Sequence, residues 1–162
     1  MKRRILLVDD DLAVLLTLKA VLELHGFEVE TAVNSAEALA RMESGVYQMV
    51  ITDLRMETED AGLQVIRAAQ RQPYDPATAL LTAYAPTRER GTLGRPEADG
   101  NPAGKPDGAD WCRDNPESVL IKPLGTGDLL RQVEALLVSH ADKQLRQRNS
   151  ASKTQSERQR AG

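Results

Sequence analysis

Four apolar runs in this chain each stop on a polar side chain: "ILLV" on Asp9 and Asp10, "MVIT" on Asp53, "ALL" on Thr82 and "VLI" on Lys122. Each run is too short for a helix and does not alternate, which is the pattern of a strand covered on both faces. "FEVETA" does alternate and suits a sheet edge. Between these runs the spacing turns helical. Leu12 to Leu24 places Leu12, Leu15, Leu16 and Leu22 on one side, with His25 closing the helix and Gly26 stopping it. "SAEALARME" is opened by Asn34 and Glu37 as a capping box and ended by Gly45, and "AGLQVIRAAQRQ" is ended by Pro73. A last helix is expected from about Asp128 to Ser139, with Leu129, Leu130, Val133, Leu136 and Leu137 on one face. Strands alternating with helices make a parallel sheet with helices on both sides. In such a sheet, ligands bind beyond the carboxyl ends of the strands. The polar residues that end the runs therefore share one edge.

The rest of the sequence narrows the class. With one Trp, three Tyr and one Phe, the core has to be aliphatic. Residues 1–138 carry 15 basic and 22 acidic side chains, while residues 139–162 carry 6 and 2. An acidic body argues against a nucleic-acid-binding domain, and the polar basic tail over 140–162 is expected to be disordered or a frayed helix. Cys112 is the single cysteine, so internal disulfides and cysteine metal clusters are excluded. It is expected to be an inert thiol. No apolar stretch approaches the ~18 residues of a membrane helix. "MKRRILLVDDD" loses its apolar run too early to be a secretory leader. A cytoplasmic protein without a membrane segment is expected.

Three carboxylates gathered at one edge repel, and each tends to keep its proton unless a cation is present. A hard divalent ion such as Mg²⁺ resolves this, because it takes a few carboxylate or carbonyl oxygens and keeps several waters. A hydroxyl from Thr82 and an ammonium from Lys122 add donors for the oxygens of a phosphoryl group. Taken alone, each motif has a plainer explanation: a solvated turn and N-cap for Asp9–Asp10–Asp11, a β-former for Thr82, a turn lysine for Lys122. Their ordered placement on successive strand ends is what points to chemistry.

"ILLVDDD", "MVITDLRM", "ALLTAYA" and "VLIKPL" together resemble the receiver domain of bacterial two-component response regulators, of the stand-alone type, over about residues 3–85 and 117–138. The resemblance implies an α/β, flavodoxin-like three-layer sandwich whose five-stranded parallel sheet has the order 2-1-3-4-5. It implies that Asp53 is the phospho-acceptor, charged by a histidine kinase or phosphotransfer protein. Asp10 and Asp53 would hold Mg²⁺ directly with the backbone carbonyl of Arg55, and Asp9 would act through a bound water. Thr82 would hydrogen-bond the phosphoryl group, Lys122 would pair with it, and the Lys122–Pro123 bond would be cis. Such a chain is a phospho-acceptor that assists its own phosphorylation and dephosphorylation rather than an enzyme with a separate substrate. Output would pass by contact with a downstream protein, with no DNA-binding domain expected in residues 140–162. The alternative is a degenerate receiver that acts as a phosphorylation-independent interaction module. A haloacid-dehalogenase type of phosphohydrolase also uses a strand-end aspartate, but needs a second Asp where Arg55 stands.

Three departures from the family pattern stand out. Glu57 occupies the place of a common proline and Gly62 comes one residue late, so the loop after Asp53 is expected to be longer, more acidic and less rigid. Thr82 and Lys122 are separated by about twice the usual distance, and "GTLGRPEADGNPAGKPDGAD" (91–110) fills the slot of the fourth helix. Each interior Gly costs ~1 and each Pro ~3 kcal/mol in a helix, so residues 86–118 are expected as an atypical Gly/Pro-rich insertion that replaces or displaces that helix within a receiver domain of residues 1–139. Val119 takes the position of the family's aromatic switch residue, and Tyr84, two after Thr82, lies on the wrong strand to replace it. Phosphorylation is then expected to be read out through residues 86–118, with Trp111 as an anchor.

Overall fold

The computed structural model describes residues 3–58, 60–82, 111, 112, 114–122 and 125–160. The expectations for Tyr84, residues 86–110 and Pro123 lie outside the described residues. Five strands form one sheet: β1 (Arg4–Val8), β2 (Glu28–Ala32), β3 (Met49–Asp53), β4 (Ala77–Thr82) and β5 (Val119–Ile121). All pairings are parallel and the order is β2-β1-β3-β4-β5. The helices are α1 (Leu12–Leu24), α2 (Ser35–Ser44), α3 (Ala61–Gln70) and α4 (Thr126–Arg160), and a 3₁₀ turn at Pro116–Ser118 leads into β5.

Register fixes the functional edge. Val8 lies beside Ala32 on one side and Thr52 on the other, Asp53 beside Leu81, and Thr82 beside Ile121. The central strands are apolar on both faces. Leu6, Val8 and Val50 join Ala38 and Met42 of α2, Val65 and Ala69 of α3, and Tyr47 in one buried cluster. Ile5, Leu7 and Ile51, which point the other way, are just as deeply buried. The chain moves from β1 to β2 in one direction and from β2 to β3 in the other. Right-handed crossovers of opposite direction put their helices on opposite faces, so α1 covers the side away from α2 and α3.

Local chemistry sets the helix ends. Asp11 caps α1 by accepting from the N–H groups of Ala13 (3.0 Å) and Val14 (3.4 Å). At its far end, Phe27 N–H donates to the Leu22 carbonyl and Gly26 N–H to that of Glu23, with Gly26 at φ +89°. That left-handed turn is the reason for glycine there. His25 sits at the C-cap, with its Nδ1 2.9 Å from the Val21 carbonyl. Asn34 caps α2 through Glu37 N–H at 2.8 Å, while the Glu37 carboxylate meets Arg41 one turn on.

Two expectations are corrected. The buried stripe of α1 is Leu15, Leu18 and Leu22, whereas Leu12 and Leu16 are 61% and 57% exposed. Leucines occupy both flanks of this helix, so spacing alone did not single out the face. The last helix, expected to end at Ser139 with a disordered or frayed tail beyond it, runs on to Arg160. From Asp128 to Arg160 there is no Gly or Pro to stop it, and Asp142 and Arg146 pair at i,i+4, 3.1 Å apart. The chain divides into two compact units, Met1–Leu124 with the sheet and α1–α3, and Gly125–Gly162 with α4. Among the described residues no helix is long and apolar enough to cross a membrane.

Candidate functional site at the carboxyl edge of the sheet

Asp9 leaves β1 with its backbone N–H still in the ladder, bonded to the Ala32 carbonyl at 3.1 Å. Its side chain is 2% exposed. One carboxylate oxygen accepts from Asp11 N–H at 3.0 Å and the other from Lys122 Nζ at 2.7 Å. Asp10 is exposed and Asp53, the last residue of β3, is half-buried. Asp9, Asp10 and Asp53 each offer a carboxylate oxygen within 4.8 Å of the others. Lys122 Nζ also lies 3.6 Å from Asp53 Oδ1. Thr82, 6% exposed, ends β4, and its carbonyl accepts from Lys122 N–H at 2.8 Å. The five strand-end residues singled out in the sequence therefore share one edge.

The charges do not balance. Like charges near 4 Å repel by about 4 kcal/mol at an effective dielectric constant of 20. Among the described residues, the Lys122 ammonium faces Asp9 and Asp53, with the Asp10 carboxylate beside them. Burial and the Asp9 carboxylate push the Asp53 carboxyl up to about 6; Lys122 opposes this and Asp10 adds to it. Burial works to lower the Lys122 ammonium, but its hydrogen bond to Asp9 and the charges of Asp53 and Asp9 outweigh that and hold it above the ordinary lysine range. A proton on Asp53 or a cation among the three carboxylates relieves the repulsion. All-oxygen donors suit a hard divalent ion.

The loop after Asp53 is shaped by close backbone contact. A Cβ on Gly62 would stand 2.1 Å from the Asp53 carbonyl oxygen and 2.6 Å from Leu54 Cα. Gly62 N–H also donates to the Leu54 carbonyl at 3.0 Å. Its late position is thus accommodated by packing the first turn of α3 directly on the end of β3. Arg55 is exposed in this loop. Glu57 is tied across to α2: its Oε1 accepts from Ser35 N–H at 3.0 Å and from the Ser35 hydroxyl. Burial works to raise the Glu57 pKa, but these hydrogen bonds prevail and hold it below the usual carboxylate range. Ser35 carried no signal as its partner, since it lies 22 positions away.

On the other flank, Trp111, Cys112 and Asp114 are helical, and Asn115 N–H donates to the Trp111 carbonyl at 2.9 Å. Cys112 is buried with Ile66 of α3 and Leu80 of β4, and Trp111, Val119 and Leu54 pack against them. Leu54 is the residue after Asp53. Helical residues near the end of the insertion thus pack beside the site.

Residues 5–100 match the response regulator receiver domain family. The chain is 34% identical over 134 residues to the transcriptional regulatory protein PrrA of Mycobacterium tuberculosis, covering 83% of this chain and 49% of that protein. It is 31% identical to the CpxR homolog of Haemophilus influenzae, covering 83% of this chain and 50% of that protein. The chain spans about half the length of these curated relatives. Among solved structures it is similar to the response regulator TrrA of Thermotoga maritima, crystallised in complex with Mg(2+)-BeF. The TM-score is 0.60, the identity 30%, and the match covers 83% of this chain and 98% of that one. By sequence and by fold, the chain belongs to the response regulator receiver domain family.

Proposed function

We propose that this receiver domain takes a phosphoryl group onto Asp53 from a histidine kinase or phosphotransfer protein, in a Mg²⁺-dependent reaction, and signals in the cytoplasm by contact with a downstream protein. The observation that carries this reading is the convergence of three carboxylates within 4.8 Å, with Lys122 bridging Asp9 and Asp53. Asp10, Asp53 and the Arg55 carbonyl are the candidates to hold Mg²⁺ directly, and Asp9 through a water. When bound, the ion offsets the negative charge of the carboxylates and of the arriving phosphoryl oxygens. Asp53 attacks phosphorus with a carboxylate oxygen. An O–P bond forms as the donor's N–P bond breaks, and that electron pair returns to the donor nitrogen. Lys122 and Thr82 then donate to the phosphoryl oxygens. Water later cleaves the acyl phosphate, so the chain assists both its own charging and its own discharge and turns over no separate substrate. Crystallisation of the similar TrrA with Mg(2+)-BeF supports the same ligands here.

The packing of Trp111 and Cys112 beside Leu54 supports a readout route through residues 86–118. The test is incubation of the chain with Mg²⁺ and acetyl phosphate, followed by intact mass measurement. A phosphoryl adduct that disappears in Asp53→Ala is expected. If no adduct forms under conditions that charge an ordinary receiver, the chain is instead a phosphorylation-independent interaction module.

A further inference from the structure

Glu57 stands four residues beyond Asp53, yet its hydrogen bonds reach a different helix. Both polar hydrogens of Ser35, the first residue of α2, are directed at one oxygen of Glu57. The Ser35 N–H is one of the four donors that a helix start leaves without an intrahelical partner. Asn34 already satisfies that of Glu37. A carboxylate at this point also meets the positive end of the helix dipole. The first turn of α2 thus offers a charge-complementary anchor, and the loop after Asp53 supplies the anion.

The same loop is fastened at its other end. Leu54 is held by Gly62 of α3, Met56 N–H donates to the Thr58 carbonyl at 3.2 Å, and the Thr58 hydroxyl donates to Asp60 Oδ1 at 2.9 Å. Arg55 sits between the Leu54 anchor and the Glu57 anchor. Proline would stiffen this place by fixing φ. Here the constraint comes from a tether across the sheet edge. We propose that Glu57 is a positioning residue for the candidate metal site, fastening the Arg55 carbonyl and the end of β3 to α2 through Ser35. The inference rests on the reading of Asp10, Asp53 and Arg55 as the metal site.

Two measurements on the full chain test it. The first is Mg²⁺ titration read by the fluorescence of Trp111, the single tryptophan, which packs in the same cluster as Leu54. The second is amide hydrogen exchange over residues 54–62. Glu57→Ala is expected to weaken Mg²⁺ binding about tenfold, in the range for loss of an outer-shell partner, and to speed exchange in the loop. Glu57→Gln keeps an acceptor for both Ser35 donors and should bind within about twofold of wild type. Ser35→Ala should weaken binding by a smaller factor, and its effect should shrink in the Glu57→Ala background. Equal Mg²⁺ affinity and equal loop exchange in wild type and Glu57→Ala overturn the proposal. If wild type itself binds no Mg²⁺, the metal-site reading fails and this inference falls with it. That failure is visible before any substitution is made.

Discussion

At Gly62 the chain leaves no room for a side chain, because an added Cβ would lie 2.1 Å from the Asp53 carbonyl oxygen. The obstacle is backbone, which cannot swing aside as a flexible side chain could. Gly62→Ala is therefore expected to cost about 3 kcal/mol in urea unfolding, at the upper end for overpacking. It should also lower the yield of acyl phosphate, since the end of β3 must move. A second prediction concerns the charge on Asp53. Its carboxyl is raised from 3.8 to about 6 in the fold, so between these values the native state binds more protons than the unfolded chain. Stability is then highest below the lower value and falls as pH rises through the upper one. Asp53→Asn, which has no charge to bury, should be more stable than wild type by about 1–3 kcal/mol at pH 7 without metal. The gain should vanish near pH 4. Thermal melts at both pH values check this, and a variant no more stable than wild type at pH 7 would sink it. Asp9, Asp10, Asp53, Thr82 and Lys122 were legible in sequence because parallel strand ends share one edge. The Glu57–Ser35 pair was not, because only the fold brings those two residues together.

Elements were legible where a local rule decides them and obscure where tertiary packing does. The start of α1 at Asp11 and its stop at Gly26 follow from capping chemistry, and Asp11→Ala should cost about 1 kcal/mol in chemical denaturation. Which face of α1 is buried was not readable, since six leucines crowd its turns and only Leu15, Leu18 and Leu22 are covered. The helical turn at Trp111 and Cys112 was likewise hidden behind a Gly/Pro-rich run that argues against any helix. Its stability comes from tertiary burial against Ile66, Leu80, Leu54 and Val119. Burial of that kind implies a measurable loss on truncation. Trp111→Ala should destabilise the fold by about 2–3 kcal/mol, below the full range for a deeply buried aromatic because Trp111 remains partly exposed. Trp111→Phe should recover most of it. An alanine variant as stable as wild type would mean that the turn merely rests on the sheet.

For the whole molecule, the parallel five-stranded order was legible from apolar runs separated by helical spacing, and the long helix at the C-terminal end was not. That stretch reads as disordered or frayed helix because its composition offers no core. Helices, however, need a core only when their own propensity is insufficient. α4 runs through 35 residues, about 50 Å at 1.5 Å per residue. Beyond Ser139 its side chains are largely solvent-facing, with Leu145 57% exposed. What sustains this half is the absence of Gly and Pro together with local pairs such as Asp142–Arg146. An isolated helix of some 20 residues is marginal in water, so this half should melt gradually and ahead of the rest. Deleting residues 141–162 is therefore expected to lower the ellipticity at 222 nm and remove the shallow slope below the main transition. The unfolding free energy of the remainder should stay within about 0.5 kcal/mol, as for exposed surface changes. A larger fall would show that the distal half of α4 is held by tertiary contact rather than by its own sequence.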